Sequence, residues 1–68
     1  MPDTRKTARG RDYEPREYKV YTPAGLYYAR DPNLQSCIAA ANKLGTGAYI
    51  EGLDQDLNPT GDIIYTVK

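Results

Sequence analysis

The sequence predicts an α+β fold: two layers in ββαββ order, with one helix packed on a four-stranded antiparallel sheet. Three observations carry that expectation. A Pro–Gly turn, Thr22-Pro23-Ala24-Gly25, separates two tyrosine-rich segments. An apolar stripe at helical spacing runs from Leu34 to Leu44. Two further runs rich in β-branched and aromatic residues, Ala48–Leu53 and Ile63–Val67, follow it.

In the first hairpin, Pro23 presets φ for the second turn position, and Gly25 accepts the positive φ of a following bulge. Pairing Thr22 with Leu26 sets Tyr21 opposite Tyr27, Val20 opposite Tyr28 and Lys19 opposite Ala29. Alternation then assigns Tyr18, Val20, Leu26 and Tyr28 to one face, and Lys19, Tyr21, Tyr27 and Ala29 to the other.

For the helix, Asp31 is the expected N-cap, with Pro32 at the first helical position. Leu34, Cys37, Ile38, Ala41 and Leu44 form the apolar stripe. Lys43 suits the negative end of the dipole, and Gly45 suits a left-handed cap. The stripe is narrow and includes the small Ala41, so the helix should lie close on its sheet.

In the second hairpin, Ala48 and Ile50 are expected inward, with Tyr49, Glu51 and Leu53 outward. Residues 54–62 read as a long, turn-rich connection. In the last strand the expectation is Ile63, Tyr65 and Val67 inward and Ile64 outward; a one-residue slip would reverse it.

Residues 1–15 read as a flexible basic arm and residues 16–68 as a single domain. Residues 1–11 carry four basic side chains (Arg5, Lys6, Arg9 and Arg11) against Asp3, a net +3. Residues 12–68 carry five basic and eight acidic side chains, a net −3. An acidic body gives no electrostatic reason to bind nucleic acid by itself, so in the alternative reading, a small nucleic-acid-binding protein, the four arm cations would contact phosphates and the exposed sheet tyrosines would stack on unpaired bases.

Composition narrows the chemistry. The chain has no histidine and a single cysteine, Cys37. That removes the commonest general base, every Ser/His or Cys/His nucleophile pair, and any intramolecular disulfide. Cys37 sits on the apolar stripe and reads as a small buried hydrophobe. Asp54, Asp56, Asn58, Thr60 and Asp62 bear side-chain oxygens at every second position, the stagger of a calcium loop. Pro59 stands where that loop wants Gly, however, and Tyr65 stands where it wants a bidentate Glu. A solvated hairpin loop is the expectation, with no metal, no cofactor and no enzymatic activity. Gly45-Thr46-Gly47 follows a helix where a phosphate cradle would precede one. The chain contains no apolar stretch of membrane-spanning length and no apolar signal-type run near its start, so a cytoplasmic location is expected.

One helix covers only one face of a sheet. The open face is therefore the candidate binding surface, built on Lys19, Tyr21, Tyr27 and Tyr49 with Leu53 and Ile64 beside them. The expected partner is a protein, with self-association through a sheet edge as a further possibility.

The segment Tyr18–Gly25, the helix Leu34–Leu44 and Gly47-Ala48-Tyr49-Ile50 together resemble, in size and layout, the small ββαββ proteins encoded by phages and mobile elements. Several phage inhibitors of bacterial defence systems share these dimensions and work without catalysis, by covering a host protein. The resemblance implies a protein-binding inhibitor or modulator and assigns no residue. The chain is also similar to RNA-recognition domains in its four-stranded sheet with aromatics, but lacks their second helix and their basic-aromatic strand motif. It is similar to phage-integrase arm-binding domains in its tyrosine-rich hairpin, which in those proteins belongs to three strands ahead of the helix.

Overall fold

The computed structural model describes residues 14–68. Strands β1 (Glu17–Tyr21) and β2 (Tyr27–Asp31) precede helix α1 (Leu34–Leu44), and strands β3 (Tyr49–Leu53) and β4 (Pro59–Thr66) follow it. The strands form one antiparallel sheet in the order β2-β1-β3-β4, and α1 lies over β1, β2 and β3. The ββαββ, two-layer α+β architecture is the expected one.

The core lies between sheet and helix. Val20, Ala48 and Ile50 rise from the sheet side to meet Cys37 and Ala41 of the helix. Both helical contacts are small side chains, which brings the helix close to the strands. Tyr18, Leu34, Ile38, Leu44, Ile64, Tyr65 and Val67 close the margins of this cluster. Tyr65 also spans the two layers, its hydroxyl donating to Asn42 Oδ1 at 2.9 Å.

The helix begins two residues later than expected. Asn33, not Asp31, is the N-cap, accepting from the Ser36 backbone N–H at 3.0 Å. Asp31 instead accepts from the Asn33 N–H at 2.7 Å, shaping the entry turn. Gly45 ends the helix with positive φ, but its ψ of −175° makes this an extended exit rather than a left-handed helical cap.

Two bulges reset the faces of the edge strands. In the first hairpin the turn forms as expected, with Thr22 N–H donating to the Leu26 carbonyl and Tyr21 opposite Tyr27. Tyr28 is then the extra residue, so Val20 pairs with Ala29 and Lys19 with Arg30. Tyr28, expected inward, is 51% exposed, and Leu26, also expected inward, is 67% exposed. Ala29 takes the inward place opposite the buried Val20.

In the second hairpin β4 begins at Pro59, so the connection is shorter than residues 54–62. Ile50 pairs with Tyr65 but Glu51 with Ile63, which makes Ile64 the extra residue. Tyr65 and Val67 pack against the core as expected. Ile63 and Ile64 depart from expectation: Ile63 is 45% exposed, while Ile64 packs against the core margin. A further irregularity lies between Glu51 and Leu53.

Candidate binding surface

The register places Glu17, Lys19 and Tyr21 of β1 on the face away from the helix, level with Leu53, Glu51 and Tyr49 of β3. Tyr27 and Arg30 of β2 and Ile63 of β4 extend that face outward. The four residues expected from the sequence to form the surface, Lys19, Tyr21, Tyr27 and Tyr49, do come together. The Tyr21 and Tyr49 rings stack with centroids 4.9 Å apart and planes 20° apart. The Lys19 ammonium sits 5.3 Å from the centroids of both Tyr21 and Tyr27, within cation–π range of each.

The face has an open end and a closed end. Near the Thr22–Gly25 turn, Tyr27 is 60% exposed. Toward the 54–58 loop, Leu53 is only 1% exposed and Glu51 8% exposed. Leu53 and Glu51 are on the expected side of β3, but neither is a surface residue. Leu53 and Ile64 therefore leave the proposed patch, and Ile63, displaced outward by the bulge, joins it. Alternation alone could not reveal Ile63, because its facing depends on where the extra residue falls.

The closed end is a polar network. The Tyr21 hydroxyl donates to Glu51 Oε1 at 2.7 Å, and the Gly61 N–H donates to Glu51 Oε2 at 2.7 Å. Burial, and next the hydrogen bond to Glu51, push the Tyr21 phenol above its ordinary range. Tyr21 is thus held as a neutral donor and fixed in place, while Tyr27 carries the accessible ring. On the same face Glu17 Oε1 pairs with Arg30 Nε at 2.9 Å.

The other candidates resolve into local structure. Asp54 Oδ1 accepts from the backbone N–H groups of Asp56 and Asn58, each at 2.9 Å, which makes it the organiser of its own loop. Thr60 and Asp62 belong to β4, and Asp62 is buried. No group of three His, Cys, Asp or Glu side chains converges on a metal-sized site among the described residues, nor do these residues enclose a pocket. Cys37 is buried with its Sγ 3.7 Å from the Tyr18 carbonyl and 3.6 Å from the Asp31 carbonyl. Burial and then the Asp31 charge raise its pKa, which disfavours the thiolate a nucleophile needs. No described helix is long and apolar enough to cross a membrane. Arg5, Lys6, Arg9 and Arg11 lie outside the described residues.

Comparison with known proteins finds no match to this chain among family models, curated proteins or solved structures.

Proposed function

We propose that this chain is a non-catalytic protein-binding module that engages its partner through the open end of the uncovered sheet face. The observation that carries the reading is the exposure of Tyr27, a large aromatic side chain, beside the Lys19–Tyr21–Tyr49 cluster. Tyrosine suits this work, since it buries much area at little entropic cost and keeps a polar tip. Leu26 and Tyr28 add exposed apolar side chains on either side of Tyr27 in sequence. The absence of histidine and the buried position of the single thiol support a role without catalysis. The layout resembles that of small phage-type modulators, and inhibition of a host protein is the role proposed.

Both outer strands of the sheet carry a bulge within their pairing to the inner strands. Bulges blunt an edge against strand addition, so side chains of the face, and not backbone pairing, are the proposed contacts.

A photo-crosslinking amino acid at Tyr27 should trap a defined protein adduct in cells. The same group at Ala39, on the exposed helix surface, should not. Equal trapping at both positions, or none at Tyr27, would overturn the assignment. Fluorescence anisotropy against single- and double-stranded oligonucleotides is the companion measurement. Micromolar binding that weakens steeply with salt would replace this reading with a nucleic-acid one.

A further inference from the structure

We infer that the partner segment bound by this face presents a carboxylate beside an apolar side chain, with Lys19 as the anion contact. The inference rests on the protein-binding reading and specifies its chemistry. Lys19 is a cation whose neighbouring acids on this face are already engaged. Glu17 is paired with Arg30. Glu51, opposite Lys19 in the register, gives one oxygen to the Tyr21 hydroxyl and the other to the Gly61 N–H. Lys19 has no ion pair within the described residues, and its ammonium is held between the Tyr21 and Tyr27 rings.

Ring contacts position a cation without neutralising it, so an incoming carboxylate would gain a preorganised partner. Next to that charge stands the exposed ring of Tyr27, which offers apolar area but no acceptor other than its hydroxyl. The patch therefore fits an acidic and an apolar group set side by side.

Two other occupants fit less well. A second copy of this chain in a two-fold contact would bring Lys19 toward a surface whose own carboxylates are already committed. A nucleic-acid strand asks for several phosphate-neutralising cations and for free aromatic faces. Here Arg30 is paired, and the Tyr21 and Tyr49 rings cover one another.

The test is selection of a random displayed peptide library on the immobilised full chain, followed by affinity measurement with one enriched peptide. Enriched peptides should carry Asp or Glu next to an aliphatic or aromatic residue. Amidation of that acid to Asn or Gln in the peptide should weaken binding about tenfold, the effect of one charge-assisted contact. Lys19→Glu should weaken the acidic peptide at least as much and favour the same peptide with Lys in place of the acid. Equal affinity for the acidic and amidated peptides would overturn the inference. If Tyr27→Ala still abolished binding in that case, the surface would stand and only its anion contact would fall. Selected peptides indifferent to Tyr27→Ala, or no enrichment at all, would overturn the surface and the inference together.

Discussion

The two hairpins share one sheet but use their side chains in opposite ways. The first, β1 and β2, turns within four residues and leaves Leu26, Tyr27 and Tyr28 exposed. The second, β3 and β4, buries Glu51, Leu53 and Asp62 and ties its polar atoms to backbone. Each carries at least one bulge, with different effects. The bulge at Tyr28 sends a large ring out of the predicted core. The irregular stretch of β4 carries the Gly61 N–H that reaches the Glu51 carboxylate. One hairpin thus offers a surface, and the other supplies the anchor that holds Tyr21 under it.

The largest difference between the two hairpins is expected at Glu51. Glu51→Ala should cost about 3 kcal/mol, because it removes both acceptors and strands the Tyr21 hydroxyl and the Gly61 N–H. Tyr27→Ala, on the exposed side, should change stability by no more than about 0.5 kcal/mol. Urea midpoints of the two variants measure both. Similar losses would mean that the open end is as structural as the closed one. Tyr21→Ala is correspondingly a poor probe of binding, since it would disturb the anchor as well as the surface.

The next effect lies where the hairpins meet. Gly47 leads into β3 at a φ of +98°, and a Cβ there would fall 3.2 Å from the Pro23 Cβ of the first turn. Gly47→Ala should cost about 2 kcal/mol, from backbone strain together with that contact. Gly45→Ala is the matched control. Its φ is +97°, but nothing lies within 4 Å of the added carbon. A larger loss at Gly47 than at Gly45 measures how tightly the turn packs against the β3 lead-in, and equal losses would assign the whole cost to φ.

Much of this was legible in the sequence. The Pro–Gly turn, the helical stripe and the facing of Val20, Ile50 and Tyr21 follow from periodicity and turn chemistry. The bulges were not legible, because either of two adjacent strand-forming residues can be the extra one. Tyr28-Ala29 and Ile63-Ile64 offer no local preference that settles it. The cap was ambiguous for a similar reason: Asp31 and Asn33 both accept backbone N–H groups well, and the chain uses one for the entry turn and the other for the helix. Strand parity points Glu51 outward, and nothing local marks a carboxylate that distant backbone will bury. At the candidate surface, the cluster of Lys19 with three tyrosines followed from strand parity. Its division into open and closed ends depends on contacts far apart in sequence.

The finest test of the anchor is its response to alkali. Tyr21→Phe removes one hydrogen bond to a buried carboxylate and should cost about 1.5 kcal/mol at neutral pH. Its effect on pH dependence is more specific. The folded state holds the Tyr21 phenol protonated beyond its ordinary value of 10.0, chiefly because burial disfavours the phenolate, and next because ionisation would forfeit the hydrogen bond donated to Glu51. A raised folded pKa means that the folded state keeps a proton the unfolded state has lost. The associated stability is complete below about pH 10 and declines as pH rises beyond it toward the folded value. Wild type should therefore lose stability more steeply than Tyr21→Phe above pH 10, so that the gap between their urea midpoints narrows. Parallel curves through that range would show that Tyr21 ionises as freely in the fold as out of it, and that its hydroxyl is not held by the second hairpin.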